Sequence, residues 1–291
     1  MKKRVAKIFA AAALLLVSII SLYPFFTMIL MSTYKTEEIF KGIPFLPSDY
    51  FMKNVSIVME SGFVRTYINS LIISVSATIG CILISAMAGY ALSVYPFKWK
   101  KALFSFVMMT MMVPSQIGII GYFSFVMMTM MVPSQIGIIG YMIEMKTLRL
   151  AGTLWPMILL WLACGFGAFW MTQFIQGALP IEIVECARID GCGELKIFFR
   201  IALPCMVSGI TTLALLIFLW SWNSYLVPLV FVNSPKLYTI PVYIRSLGNA
   251  YRTDYAAQIT GLLLATIPLI LMFILGSKSF IKGLTAGAVK G

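Results

Sequence analysis

Histidine is absent from this chain of 291 residues, and charged residues make up only 11% of it. With no histidine and a spacing of six residues between Cys186 and Cys192, a zinc site is not expected. The chain also lacks a paired-carboxylate or metal motif, which argues against an intramembrane enzyme. The sequence also lacks a G-x-x-x-x-G-K-[ST] phosphate loop. Residues 276–279 are the nearest match, but they lack the upstream glycine of that motif. We therefore do not expect this chain to hydrolyse ATP itself.

The scarcity of charge accompanies a high apolar content of 60% and a mean hydropathy of +0.95. A water-soluble globule of this length cannot bury so much apolar surface, which predicts a polytopic membrane protein. Helices are expected, because a membrane barrel shows weaker, alternating segments of about ten residues. We predict an all-α protein with six transmembrane helices. The apolar runs long enough to cross about 30 Å of hydrocarbon are 8–32, 66–94, 102–122, 152–173, 206–232 and 257–277.

The distribution of basic residues predicts the orientation. Basic residues at 2–7 and 98–101 favour a cytoplasmic N-terminus and a cytoplasmic second loop, and six spans return the C-terminus to the same side. The first run is too long for a secretory signal and lacks a small-x-small cleavage site, so we interpret it as an uncleaved span. Thirteen of the 22 lysines and arginines then lie inside, with only four of the ten acidic residues. The net charge of +12 is thus a topology signal, and no nucleic-acid partner is expected.

An internal repeat complicates the third span. Residues 104–122 recur without a change as residues 123–141. Functional repeats normally diverge, so identity indicates a very recent duplication or an error in the recorded sequence. The inside segments around residues 98–101 and 188–200 require an even number of crossings between them, so 123–141 is not predicted to be a span. A re-entrant or loop element is the alternative.

A short charged segment, residues 180–204, separates the fourth and fifth runs. Pro180 suits a helix start, and Gly191 suits a left-handed end, which predicts a helix over about 181–190. The small residues Cys186, Ala187 and Gly191 would allow another protein to approach the backbone closely. The charges alone are more typical of an ordinary interfacial loop.

The full spacing of this segment resembles the EAA loop of binding-protein-dependent ABC importer permeases. The matching residues are Glu185, Ala187, Asp190, Gly191, Phe198, Ile201, Leu203 and Pro204, with Cys186 and Cys192 in place of two family alanines. Other stretches are similar to the carbohydrate-uptake branch of that family, of which the maltose-type permease is a member. These stretches are residues 69–70, 88–91, 112–116, 218, 222–225, 228–229, 237–241 and 282–291.

The resemblance implies a multi-pass protein of the bacterial inner membrane with a type I importer permease fold and a cytoplasmic coupling helix between spans four and five. It implies a second homologous permease, two ATPase subunits that bind ATP and magnesium, and an extracytoplasmic solute-binding protein that delivers a sugar or oligosaccharide. No cofactor is implied in this chain. The residues expected to couple to the ATPase are Glu185, Cys186, Ala187, Asp190, Gly191, Cys192, Phe198 and Pro204.

Polar and aromatic side chains within the spans are candidates for a translocation path, because polar groups are costly in hydrocarbon. Such residues also bond neighbouring helices or lie at membrane interfaces, which is the competing interpretation. An ATP-independent channel or secondary transporter is the alternative function. It predicts paired intramembrane charges or inverted repeats, and no acidic or basic residue lies well inside a run. The path candidates are Asn69, Gln116, Ser221, Trp222, Asn223 and Tyr225, with Gln173 and Trp220 as further polar and aromatic members.

Overall fold

A computed structural model describes residues 2–42, 44–112, 135–248 and 253–288 of the chain. These residues are mostly helical and contain no β-strand, only an isolated antiparallel bridge between Gly248 and Thr253. The all-α prediction is confirmed over this part of the chain. Most of the second repeat copy and the path candidate Gln116 lie outside the described residues.

The helices vary widely in length. Those before residue 150 are α1 (Lys2–Met31), α2 (Thr36–Ile39), α3 (Phe51–Glu60), α4 (Phe63–Val94), α5 (Lys100–Met112) and α6 (Gln135–Thr147). Next come α7 (Trp155–Leu162), α8 (Gly165–Ala178), α9 (Ile181–Ile189), α10 (Glu194–Ile197), a π-helical turn (Phe198–Ala202), α11 (Leu203–Cys205) and α12 (Val207–Trp222). The last are α13 (Leu226–Phe231), a 3₁₀ turn (Pro235–Leu237), α14 (Ile240–Ser246) and α15 (Tyr255–Ala288).

Four stretches of the described chain are long and apolar enough to cross a membrane, and a fifth qualifies if a bent pair of segments counts as one span. The four are Lys7–Met31, Phe63–Val94, Trp155–Ala178 and Tyr255–Ser277. The bent pair joins Glu194–Cys205 to Val207–Trp222 at 79°. The stretch predicted as the third span, 102–122, is described only through α5.

The stretch predicted as the fifth span, 206–232, is not one continuous helix. Helix α12 ends at Trp222, and α13 begins only at Leu226. The Asn223 side chain donates at 2.8 Å to the carbonyl of Leu219, which lies in the last turn of α12. Pro228 has no amide hydrogen to continue an α-helical ladder through this region. A hydropathy window does not register either feature.

The stretch predicted as the fourth span, 152–173, begins and ends later in the structure. Helix α7 starts at Trp155 with Pro156 in its first turn, as proline's fixed φ allows. The backbone breaks at Ala163 and Cys164, and α8 then continues to Ala178.

The described chain divides into two units. The first comprises residues up to 67 together with 240–268. Buried polar side chains hold it together: Asn54 donates to the carbonyls of Ser32 and Tyr34, both at 2.8 Å. The Tyr243 hydroxyl donates to the Val58 carbonyl at 2.7 Å. These bonds satisfy polar groups that would otherwise be costly to bury.

The second unit comprises residues 68–239 and the residues after 268. Its apolar core, the central cluster, joins α4, α8 and α12 to the segment that follows α8. The helices approach closely where glycine removes a side chain: Gly89 faces Met171, and Gly209 faces the Phe174 ring. The fully or nearly buried members of the central cluster include Cys81, Ala86, Tyr90, Met171, Ile175, Val184, Ile197, Phe198, Ala202, Met206, Leu213 and Ile217.

Candidate coupling site and translocation path

Helix α9 forms the centre of the segment predicted to couple to a partner. Pro180 is its N-cap, with an extended ψ of 129°, and Ile181 is the first helical residue. Glu182 lies in the first turn and Arg188 in the last, so both charges complement the helix dipole. The helix is therefore defined by local signals at both ends.

Gly191 ends α9 in a Schellman motif. Its φ is +76°, a left-handed conformation that is costly for residues with a Cβ. The Gly191 amide donates to the Arg188 carbonyl, and the Cys192 amide donates to the Ala187 carbonyl, both at 3.0 Å. These are the two hydrogen bonds that define the motif. They turn the chain sharply before α10.

The predicted coupling residues divide into an outward and an inward group. Ala187 is only 7% exposed and Phe198 only 3%, and both pack in the central cluster, with Cys192 half-buried against it. The expectation that Ala187 opens the backbone to another protein is therefore wrong, because its small side chain faces the core of its own unit. The exposed members are Glu185, Cys186, Asp190, Gly191 and Pro204.

Large apolar side chains extend this exposed surface. Ile183 is 46% exposed, Ile189 85% and Leu195 68%. Exposed apolar groups of this size are typical of a surface that contacts another protein or a membrane. We call the exposed residues of α9 and α10, with Asp190 and Gly191 between them, the coupling surface.

Pro204 lies at a change of direction. A π-helical turn precedes it, and Met206, at φ −95° and ψ 1°, separates α11 from α12. The segment before Met206 and the helix after it are bent by 79°. Pro204 thus precedes a bend and does not open a straight fifth span.

A polar cluster beneath the coupling surface was not predicted from the sequence. The Arg188 Nε donates to Glu194 Oε1 at 2.6 Å, and the Tyr95 hydroxyl donates to Glu194 Oε2 at 2.6 Å. The pKa of the Glu194 carboxyl is held below its ordinary value, first by the hydrogen bond from Arg188 and next by that from Tyr95. The same hydrogen bond is the largest cause that raises the pKa of Arg188. No sequence pattern links these residues, since Tyr95 and Glu194 are 99 positions apart.

Three of the predicted path residues have structural partners. Both amide hydrogens of Asn69 are used, in bonds to the carbonyls of Lys236 at 3.0 Å and Tyr238 at 3.1 Å. Ser221 is buried and lies 3.5 Å from the Ser74 hydroxyl. Trp222 is 3% exposed. Its ring stacks on Phe218 with centroids 5.5 Å apart.

Asn223, Tyr225 and the further candidate Trp220 line a cavity of about 930 Å³ in the second unit, whereas Gln173 does not line it. Two tryptophans of the same cavity, Trp161 and Trp220, stack with centroids 6.5 Å apart. Trp161 was not predicted as a path residue, although an aromatic residue in an apolar run was the available signal. The cavity presents flat ring surfaces and a few polar groups, a combination suited to a ligand with apolar faces and hydroxyl groups. Its other lining residues are Ile138, Tyr141, Leu160, Leu219, Ser224, Leu226 and Val227.

Metal-binding geometry is not found in the described ranges, where no group of three or more His, Cys, Asp or Glu side chains converges.

Comparison with known proteins identifies the family. The model of the binding-protein-dependent transport system inner membrane component matches residues 80–281, which include the coupling surface and the lining of the cavity. The chain belongs to this family. The resemblance inferred from the spacing around Glu185 is thereby confirmed at the level of the family.

Individual relatives agree with this assignment. The arabinooligosaccharides transport system permease protein AraQ of Halalkalibacterium halodurans is 32% identical over 280 residues, covering 94% of this chain and 93% of the relative. The lactose transport system permease protein LacG of Rhizobium radiobacter is 28% identical, covering 100% of this chain and 98% of the relative. A solved bacterial ABC transporter involved in alginate import has a chain with a TM-score of 0.76 at 20% identity, covering 96% of this chain and 98% of that one. This last likeness shows that the two chains share a fold.

Proposed function

We propose that this chain is a permease subunit of an ATP-driven importer that moves a sugar or oligosaccharide delivered by a solute-binding protein. The observation that carries the proposal is the coupling surface: a short capped helix, anchored on the central cluster and exposing Glu185, in a chain of the binding-protein-dependent family. Relatives named for arabino-oligosaccharide and lactose transport support a carbohydrate substrate.

The proposed assembly contains a second homologous permease, two ATPase subunits that bind ATP and magnesium, and an extracytoplasmic binding protein. A solved structure of a bacterial alginate ABC transporter in complex with an alginate pentasaccharide-bound periplasmic protein has a chain with a TM-score of 0.51 at 17% identity, and it supports the binding-protein partner. We place the chain in the bacterial inner membrane with six spans and with both termini and the coupling surface in the cytoplasm. This orientation rests on the distribution of lysine and arginine.

The proposed mechanism is a rigid displacement of the coupling surface. Closure of the two ATPase subunits on ATP would move α9, and the bend at Met206 would pass the motion to α12. A displacement shifts the transporter between inward-open and outward-open states only if each state binds some ligand better. We propose that ATP-bound ATPases and the docked binding protein favour the outward-open state.

Purification through an affinity tag on this chain tests the assembly. Two ATPase subunits and a second permease should co-purify, and vesicles containing the complex and the binding protein should accumulate sugar only with ATP. A panel of arabinotriose, lactose and maltose samples the substrate class. Solute movement in vesicles that contain this polypeptide alone would contradict the proposal and support the ATP-independent channel.

We propose that sugar contacts the cavity lined by Trp161 and Trp220. Replacing Trp220 by alanine removes one ring from the wall, so the concentration for half-maximal uptake should rise by about tenfold, which corresponds to about 1.4 kcal/mol of binding free energy. Trp220→Phe keeps an aromatic face, so it should raise the concentration for half-maximal uptake much less.

The matched control for this experiment is Trp99→Ala. Trp99 is 75% exposed and does not line the cavity, so its removal should leave uptake unchanged. Equal uptake in the Trp220→Ala and Trp99→Ala proteins would show that the cavity wall does not contact the sugar.

A further inference from the structure

The carboxylate of Glu194 is the centre of a hydrogen-bonded cluster that the family spacing does not include. Arg188 binds it in bidentate fashion, with Nε 2.6 Å from Oε1 and Nη2 3.2 Å from Oε2. Tyr95 donates to Oε2 at 2.6 Å, and Tyr90 adds a longer contact at 3.4 Å. Bidentate, charge-assisted geometry is the strong form of such a contact.

The cluster joins segments that are distant in sequence. Arg188 is in the last turn of α9, and Glu194 is the first residue of α10. Tyr90 lies in the last turns of α4, and Tyr95 directly follows that helix. One carboxylate therefore links the two helices of the coupling surface to the end of the second predicted span.

Packing around the cluster restricts its freedom. The Arg188 guanidinium lies 5.4 Å from the centroid of the Tyr95 ring, in cation–π contact. The Tyr90 ring packs edge-on against Phe198 at 5.4 Å, and both side chains are nearly fully buried. The ion pair itself is partly open to solvent, with side-chain exposures of 33% for Arg188 and 42% for Glu194. Solvent screening weakens it, so the tyrosine contacts matter to its geometry.

We infer that Glu194 is a positioning residue that fixes the coupling surface to the end of α4, so that a displacement of α9 also moves the second span. The inference rests on the proposed function, and it adds a second connection to the one through the bend at Met206. With the Glu194 bonds intact, the coupling surface moves α4 and α12 together. Without these bonds, α9 can rotate relative to α4, so part of the displacement does not reach α4.

The test measures how many ATP molecules are hydrolysed per sugar transported, in vesicles that contain the purified complex. In Glu194→Gln, ATP hydrolysis should continue while uptake falls, so this ratio should rise about three- to tenfold. Tyr95→Phe, which removes a single hydroxyl, should raise the ratio by a smaller factor. Glu144→Gln is the matched control, because Glu144 is exposed and lies outside the cluster.

A charge exchange separates positioning from general destabilisation. The double variant Arg188→Glu with Glu194→Arg restores opposite charges at the same two positions, and it should recover about half of the lost coupling. A merely structural change would not be rescued in this way. Wild-type ratios in both Glu194→Gln and Tyr95→Phe would overturn the inference, whereas a complex that is inactive in the wild-type form would contradict the proposed function instead.

The pH dependence gives a second readout. The charged and titratable groups that face the carboxylate are Arg188, Tyr90 and Tyr95. Because the folded pKa of Glu194 is below its ordinary value, its contribution is present above about pH 4.3 and is lost as the pH falls through the folded value. The Tm difference between the wild-type protein and Glu194→Gln should be constant from about pH 8 to pH 5 and should shrink as the pH falls below about 4.3. A difference that persists in acid would contradict the ion pair.

Discussion

Gly191→Pro is expected to lower ATP-dependent sugar uptake by about tenfold or more, while the protein still reaches the membrane. Proline fixes φ near −65°, whereas Gly191 has a φ of +76°. The substitution also removes the amide that donates to the Arg188 carbonyl at 3.0 Å. It further disfavours the conformation of Asp190, which has a φ of −71° and a ψ of 2°. Together these effects cost about 3 kcal/mol or more, and the turn between α9 and α10 cannot form as it does now.

Uptake and ATP hydrolysis are measured in vesicles containing the purified complex, with the amount of inserted chain determined by immunoblot. Two alanine variants calibrate the result. Gly191→Ala keeps the amide, and its only cost is the left-handed backbone conformation, about 1–2 kcal/mol. Its uptake should therefore lie between those of the wild-type protein and Gly191→Pro. Gly193→Ala is the control, because Gly193 has a φ of −66° and open space around an added Cβ. Equal uptake in Gly191→Pro and Gly193→Ala would show that the turn does not transmit force.

The beginning and end of α9 could be predicted from the sequence because each depends on one local signal. Pro180 cannot supply an interior helical hydrogen bond, and Gly191 takes a backbone conformation that other residues avoid. Both effects act within a few residues, so no tertiary contact has to be known. The structure differs only in making Pro180 the N-cap and Ile189 the last helical residue.

The interruption between α12 and α13 could not be predicted from hydropathy. Residues 206–232 read as one apolar run, since a window average hides a single asparagine and a proline. In the structure, Asn223 bonds back to Leu219, and the chain leaves the helix there. Specific side-chain geometry, which an average cannot represent, decides where this helix ends.

Residues that act over long sequence separations were the hardest to predict. Glu194 meets Tyr95 across 99 positions, and Asn69 meets the Lys236 carbonyl across 167 positions. A polar residue in an apolar run indicates only that it needs a partner. Whether that partner is a backbone carbonyl or a sugar depends on the packing of other helices. The cavity around Trp161 and Trp220 likewise exists only once α7 and α12 lie side by side.

Gly89→Leu is expected to prevent the second unit from folding, and Gly89→Ala to destabilise it strongly. A Cβ at Gly89 would lie 2.8 Å from the backbone carbonyl carbon of Met171 and 2.9 Å from the backbone nitrogen of Thr172. A side chain can change rotamer to relieve such a clash, but a backbone can yield only if the helices separate. Overpacking of this kind typically costs 1–3 kcal/mol even for one added methyl group.

Two other glycines on membrane-length or partly apolar helices provide a graded comparison. A Cβ at Gly80 would meet only the flexible end of Leu162, at 3.2 Å, and a Cβ at Gly140 would meet nothing within 4 Å. The Tm of the detergent-solubilised protein should therefore fall most for Gly89→Ala, less for Gly80→Ala, and not at all for Gly140→Ala. The Tm of Gly140→Ala should rise slightly, because alanine has a better helix propensity than glycine. A monodisperse Gly89→Leu protein with the wild-type Tm would contradict the close approach of α4 and α8.

The consequence of Gly89 for function follows from its place on α4. Ser93, one turn later, donates to the Thr172 carbonyl at 3.3 Å, so the α4 and α8 backbones stay close beyond Gly89. Tyr90 and Tyr95 lie on this same stretch and reach Glu194 only if α4 keeps its position. A partly folded Gly89→Ala protein should therefore also hydrolyse more ATP per sugar, as Glu194→Gln does. If Gly89→Ala lowers the Tm but leaves that ratio unchanged, the close approach of α4 and α8 serves stability alone and the position of α4 does not govern coupling.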